Sequence, residues 1–216
     1  MSVGLVGRFI EWVIHNGGLY LLLFIVFAET GLFVGFFLPG DSLLFAAGIY
    51  SNDLAAELYN VHYIIIVALV AVASILGSMV GYWFGLRSGP ILFERKESFL
   101  FKRKYLLRAK SFYEQYGKAT VFVSKFLPII RTFAPITAGI VKMASKEFLQ
   151  YNIVGSITWV SAMMLGGHYL QTIVLKRYGL NLKDHIELIA VTMVLVTTAP
   201  VLFKLFTGAK ETSKSG

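Results

Sequence analysis

The sequence predicts an all-α, polytopic membrane protein with two opposed re-entrant hairpins, amphipathic interfacial helices and about three to four spanning helices in an inverted repeat. Of its 216 residues, 56% are hydrophobic, and the mean hydropathy is +0.70. Soluble domains contain roughly 45 to 50% apolar residues. Two apolar runs are also interrupted by proline and carry charges, and the same order of segments occurs twice. We expect residues 1–216 to form a single membrane domain.

The first half, residues 1–86, is predicted to be the first repeat. Residues 2–16 place apolar side chains on one helical stripe, which is typical of an interfacial amphipathic helix. Residues 17–50 form the first predicted hairpin, with a break at Pro39 and Gly40. This run suits either one spanning helix with a short returning arm or two half-helices. Because it is longer than the apolar core of a signal peptide, we expect it to remain uncleaved.

Residues 61–86 are continuously apolar and long enough to span a membrane. Small residues recur at every fourth position along this segment: Ala73, Gly77, Gly81, Gly85 and Gly89. Such a stripe allows another helix to approach backbone to backbone. We favour close packing within one molecule over a dimer face, although a homo-oligomer stays open.

The second repeat is predicted at residues 87–170. A basic, aromatic stretch at 91–116 should lie along the inner surface and contact anionic membrane lipids. The second hairpin is predicted at 118–141, with breaks at Pro128 and Pro135, because proline removes a backbone donor and disturbs a helix. A spanning segment at 148–170 follows, and then a C-terminal spanning helix at 184–207.

Charge patterning predicts the topology. From Arg87 through Lys118 the sequence has nine Lys or Arg residues, both ends included, against three Glu. We interpret this block as a cytoplasmic loop rather than a nucleic-acid site, since basic loops remain on the inner side. The loop at 51–60 has acidic residues but no Lys or Arg, so it should face outward.

A weak internal repeat underlies this order. The first broken run ends in AAGI at residues 46–49 and the second in TAGI at residues 137–140. An amphipathic segment precedes each run and a spanning helix follows it. If the hairpins enter from opposite sides, the two halves form an inverted repeat, an architecture found in secondary transporters.

Four charges fall deep inside the broken apolar runs: Glu29, Asp41, Lys125 and Arg131. Each would cost roughly 2.5 to 3.5 kcal/mol if left alone at the centre of a membrane helix. We therefore expect the four to meet one another or water. The structural interpretation is static ion pairs that hold the hairpins together.

The functional interpretation assigns two roles to the same four residues. A low-dielectric surrounding favours the neutral form of a carboxyl group, so Glu29 and Asp41 are predicted to couple proton movement to transport. Arg131 and Lys125 are predicted to bind a phosphate, because a guanidinium holds a phosphate with two hydrogen bonds.

These residues lie in runs that resemble a known family. The stretches ETGLFVGFFLPGDSLLFAAG (29–48), KFLPIIRTFAPITAGI (125–140) and FLQYNIVGSITWV (148–160) are similar to signatures of the bacterial DedA membrane proteins, which share the VTT domain with eukaryotic lipid scramblases. The resemblance implies opposed re-entrant hairpins and lipid transport across the bacterial cytoplasmic (inner) membrane. Family members have been associated with the return of undecaprenyl phosphate, with phospholipid movement and with proton-motive-force-dependent envelope homeostasis.

By position, the resemblance assigns Glu29, Asp41 and Arg131 to the family's functional acids and second arginine. Lys125 stands where the first arginine of the RFxPxxR pattern is usual, and Ser78 stands where the aspartate of GDxxGYxxG often occurs. Lysine keeps the charge but lacks the planar fork of arginine, which alters how this position can hold a phosphate.

The sequence favours a transporter that moves undecaprenyl phosphate or a phospholipid with proton-motive-force coupling. A proton-coupled antiporter for small cations or drugs is the alternative, and a non-transporting scaffold that binds through its basic stretch is a third. An enzyme is disfavoured, and no metal, cofactor or nucleic-acid partner is predicted. The chain has no cysteine, and its four histidines lack ligand spacing. His168 is predicted to pack between helices.

Overall fold

A computed structural model describes residues 5–13, 18–31, 40–57, 59, 61–94 and 119–193. Every regular element in these ranges is helical, so the predicted all-α class is confirmed there. The α-helices in chain order are α1 Leu5–Trp12, α2 Gly18–Gly31, α3 Gly40–Ile49, α4 Ser51–Glu57, α5 Tyr63–Glu94, α6 Ala119–Ser124, α7 Pro128–Ile140 and α8 Ser145–Tyr178. A 3-10 turn at Leu182–His185 follows α8.

Two helices in the described part of the chain, α5 and α8, are long and apolar enough to cross a membrane. The predicted spans at 61–86 and 148–170 are therefore confirmed as helices, and both helices are longer than predicted. Lys176 and Arg177 lie beyond the predicted end of this segment at residue 170 and form the last turn of α8. This helix ends at Tyr178 and is capped by Gly179, whose φ of 67° glycine adopts without strain.

The first broken run contains two short apolar helices, α2 and α3, on either side of residues 32–39. Pro39 lies outside the described residues, whereas Gly40 begins α3. The second run contains α6 and α7, separated by a turn at residues 125–127.

The two prolines of the second run differ in their effect. Pro128 begins α7, directly after the turn at residues 125–127, and its missing N–H has no helical partner to lose at this position. The predicted break at Pro135 is wrong, because α7 continues through this residue. Proline removes one helical hydrogen bond, but Pro135 is buried beside Gly81 of α5. Packing against a neighbouring helix thus maintains α7 across the proline.

The two short helices of each broken run pack on different long helices, an arrangement that we call the exchange pattern. Helix α2 packs on α5 and α3 packs on α8, whereas α6 packs on α8 and α7 packs on α5. Each long helix therefore contacts one helix from each broken run. This arrangement brings the charged positions of both runs into the same interior.

The small-residue stripe of α5 faces these short helices. A side chain at Gly77 would meet the carbonyl of Phe27 in α2, and one at Gly85 would meet the carbonyl of Ile136 in α7. Gly89 lies against Ile140 at the end of α7. The prediction that the stripe packs within one molecule is confirmed.

The chain ends are described in part. Ile10 in α1 and Val13 just after it belong to the hydrophobic core, while Arg8 and Trp12 are exposed, as expected of an amphipathic segment. Residues 186–193 are helical, and the rest of the predicted C-terminal helix at 184–207 lies beyond the described residues. Most of the basic stretch at 91–116 also falls outside them.

Tyr82 joins α5 to the start of α8. Its buried hydroxyl donates to the carbonyl of Met143 and lies 3.1 Å from the hydroxyl of Ser145, while its ring stacks on Phe148 at 4.4 Å between centroids. We expect Tyr82→Phe to lower the unfolding free energy by about 0.5 to 1.5 kcal/mol, since it removes the hydrogen bond and keeps the stack. Thermal unfolding in detergent checks this result, with the exposed Tyr20→Phe as the control. Equal unfolding temperatures for both variants would contradict it.

Candidate functional site

Arg131 of α7 joins the two broken runs. Its Nη1 donates to Oδ1 of Asp41, and its Nη2 donates to Oε1 of Glu29. Glu29 lies near the end of α2 and Asp41 in the first turn of α3. All three side chains are buried. A guanidinium suits this task because its planar fork presents several N–H donors in fixed directions.

Trp159 of α8 completes this cluster. Its indole Nε1 donates to Oδ1 of Asp41 at 3.0 Å, and the centre of its ring is 4.6 Å from Cζ of Arg131. The second contact is a cation–π interaction, which strengthens away from water. Trp159 is fully buried. Through this side chain the long helix α8 contacts both members of the Arg131–Asp41 ion pair. We call Glu29, Asp41, Arg131 and Trp159 the charge cluster.

Two polar atoms of the charge cluster, Oε2 of Glu29 and Nε of Arg131, have no hydrogen-bond partner among the described residues. The carboxylate of Glu29 lies against Gly40, where a Cβ atom would collide with Oε2. Gly40 was predicted as a break in the hairpin. Its position at the start of α3 also requires glycine, because any larger residue would displace the carboxylate of Glu29 from Arg131.

Lys125 lies apart from these ion pairs. It is buried in the turn after α6, and its Nζ donates to Oγ of Ser78 in α5 at 2.7 Å. Within the described part of the chain, no carboxylate lies within ion-pair distance of Nζ. The structure thus unites three of the four predicted charges and gives the fourth a neutral partner. Lys125 and Ser78, the two positions that depart from the family patterns, contact each other.

Buried polar contacts connect the two long helices. Ser74 of α5 donates to Ser156 of α8 at 3.3 Å, and Ser156 donates to Oδ1 of Asn152 at the same distance. Asn152 also donates to the carbonyl of Ile75 at 3.2 Å. Ser74 and Ser78 are one helical turn apart, so this polar strip runs along the face of α5 that carries the Lys125 contact.

We did not predict Trp159, Asn152 or Ser156 as site residues. A signal was present, because the three occur at helical spacing within an apolar segment and share one face. Their partners could not be read from that spacing.

His168 of α8 is a packing residue, as predicted. Its Nδ1 lies 2.7 Å from the hydroxyl of Ser51, and its ring stacks on Tyr63 with 4.9 Å between centroids. Among the described residues, no group of three His, Asp or Glu side chains could hold a metal ion.

Two long apolar helices and a buried charge cluster between shorter apolar helices are features of the polytopic membrane class. Comparison with known proteins defines the family. The VTT domain matches residues 38–169. The sequence is 37% identical over 206 residues to the protein DedA of Escherichia coli, covering 93% of this chain and 85% of that protein.

Two further relatives support this assignment. An uncharacterized membrane protein of Mycobacterium tuberculosis is 36% identical over 181 residues, covering 84% of this chain and 75% of that protein. The inner membrane protein YghB of Escherichia coli is 28% identical over 187 residues, covering 86% and 82%. No solved structure matches. The chain belongs to the DedA family of VTT-domain proteins. It is a bacterial inner-membrane protein, so the predicted family and location are confirmed.

Proposed function

We propose that this protein moves a lipid with a phosphate headgroup, undecaprenyl phosphate or a phospholipid, across the cytoplasmic membrane in a cycle coupled to protons. The observation that carries the proposal is the buried bridge from Arg131 to Glu29 and Asp41. Intramembrane ionisable groups of this kind mark transport paths and proton relays in other membrane proteins. The bridge also joins the two broken runs, so its opening would change how they contact each other.

The proposal includes two re-entrant hairpins in an inverted repeat. Helices α2 and α3 have 14 and 10 residues, and at 1.5 Å per residue they measure about 21 and 15 Å. A hydrocarbon core is about 30 Å thick, so helices of this length fit half-spanning arms. The exchange pattern supports a repeat as well. In such a repeat α2 corresponds to α6, α3 to α7 and α5 to α8. The packing of α2 on α5 then corresponds to that of α6 on α8, and the packing of α3 on α8 to that of α7 on α5.

The proposed phosphate ligand is Lys125 in the first instance. Both terminal nitrogens of Arg131 already donate to carboxylates, whereas Lys125 is a buried cation whose hydrogen-bond partner is a neutral hydroxyl. A buried cation without an anion favours the arrival of one. Arg131 can bind the phosphate only after one of the two acids is protonated and its ion pair with Arg131 breaks. Proton uptake would thereby be coupled to phosphate binding.

An antiporter for small cations or drugs is the second candidate. It is favoured by the charge of the cluster, in which two carboxylates face one guanidinium. In that case one of the two carboxylates would bind a proton and the cation in turn, and Lys125 would have no role in substrate binding.

We expect the purified protein in liposomes to accelerate the transbilayer movement of undecaprenyl phosphate or phospholipid when a pH gradient is applied. Lys125→Gln should slow this movement about tenfold or more, since a charged hydrogen bond contributes about 1.5 to 3 kcal/mol. Lys125→Arg keeps the charge and should retain the movement. The exposed Lys146→Gln is the matched control.

Three outcomes of this assay would count against the proposal. Wild-type protein without effect on either lipid would contradict lipid transport, and an unchanged rate for Lys125→Gln would remove Lys125 from the substrate site. Proton flux that depends on an added small cation, without lipid movement, would establish the antiporter instead.

A further inference from the structure

The two carboxylates of the charge cluster differ in their contacts. Oδ1 of Asp41 accepts hydrogen bonds from both Arg131 and Trp159. Glu29 accepts from Arg131 through Oε1, and its Oε2 is buried without a partner among the described residues. Two donors to one oxygen stabilise an ionised carboxylate. A buried oxygen without a donor does not.

The charges of the cluster do not balance when both acids are ionised. With both acids ionised, two negative charges face one positive charge, and the described charged groups that act on Glu29 are Arg131 and Asp41. A net charge enclosed in a low-dielectric interior is strongly disfavoured. One bound proton makes the cluster neutral, and Oε2 of Glu29, which is buried without a donor among the described residues, can receive it.

We propose that Glu29 carries the exchangeable proton on Oε2, that Asp41 is a permanent counter-ion of Arg131, and that Trp159 is the positioning residue that keeps Asp41 ionised. The assignment deepens the proposed function and rests on it for the coupling step. The proton binds Oε2 from one side of the membrane and leaves to the other, with no other bond made or broken. Gly40 takes part because a side chain at this position would collide with Oε2.

Trp159 is suited to this role because it contacts both members of one ion pair from a helix outside the two broken runs. Its N–H stabilises the carboxylate of Asp41, and its ring faces the guanidinium of Arg131. Phenylalanine at this position would keep an aromatic ring and lose the N–H. Asp41 would then lose one of its two donors, so it would compete with Glu29 for the proton.

Infrared difference spectroscopy of the protein in lipid vesicles tests this assignment without any measurement of transport. Between about pH 6 and 9, where exposed carboxylates are ionised, the wild type should show one protonated-carboxyl band that is lost as the pH rises. Glu29→Gln should abolish this band. Asp41→Asn should keep a band from Glu29 with its midpoint moved to lower pH, because loss of the Asp41 charge favours the ionised form of Glu29. Trp159→Phe should shift its midpoint to higher pH, whereas a purely structural residue would change thermal stability and leave the midpoint in place.

The opposite pattern would overturn the assignment: a band lost in Asp41→Asn and kept in Glu29→Gln. A wild type without a titrating band in this range would overturn it as well, as would an unmoved midpoint in Trp159→Phe. These variants preserve approximate side-chain size, and the spectra also report helix content, which identifies a variant that fails to fold. Because the band is read without lipid movement, failure of lipid transport and failure of this assignment are separate results.

Discussion

Replacing Arg131 with alanine should abolish transport and lower the free energy of unfolding by about 3 to 5 kcal/mol, the usual effect of removing one partner from a buried ion pair. The large effect is expected because Arg131 serves two buried carboxylates at once. Its loss would leave both acids without a counter-charge and would separate the two broken runs. Thermal or denaturant unfolding in detergent measures the first effect, and the liposome assay measures the second.

A neutral version of the cluster separates stability from function. The triple variant Glu29→Gln, Asp41→Asn and Arg131→Met removes all three charges, and a buried ion-pair group replaced by neutral side chains of similar size often costs little stability. We expect this variant to recover most of the stability lost in Arg131→Ala and to remain inactive in transport. Transport at the wild-type rate would show instead that the charges only hold the helices together.

A second large effect is expected at the contact between α3 and α8, where two adjacent glycines provide a matched pair. A Cβ atom at Gly167 would collide with the carbonyl of Phe45, whereas one at Gly166 would meet a side-chain carbon of Phe45 at 3.7 Å, an ordinary contact. Both changes to alanine raise helix propensity equally, by up to about 1 kcal/mol. Gly167→Ala should nevertheless destabilise the protein by about 1 to 3 kcal/mol through overpacking, because a backbone atom cannot move aside.

The difference in unfolding temperature between the two variants tests this prediction. Gly166→Ala should unfold at or slightly above the wild-type temperature, and Gly167→Ala should unfold lower and be recovered in smaller amounts as a monodisperse species. Equal behaviour would mean that α3 and α8 do not approach at Gly167. The exchange pattern, on which the proposed repeat rests, would then be contradicted at the contact between α3 and α8.

Much of the architecture could be predicted from the sequence because the bilayer imposes simple rules on it. The predominantly apolar segments at 61–86 and 148–170 had to be helices, since backbone groups in hydrocarbon must satisfy one another. The glycine stripe of α5 predicted close packing because only small residues permit it. Helix ends were less accurate, and α8 continues through Lys176 and Arg177, since charges at the end of a long helix do not stop it.

The sequence alone determined the class of protein, the two long helices and the four charges that need partners, because a charge in an apolar run carries a cost wherever the chain folds. The tertiary structure decided which charges meet. Arg131 is 90 positions from Asp41 and 102 from Glu29, and no local periodicity reports a contact over such a separation. Packing likewise gave Trp159 its place beside Asp41, separated Lys125 from the acids and kept α7 helical through Pro135. Each of these outcomes depends on which helices touch, and that is a property of the assembled interior.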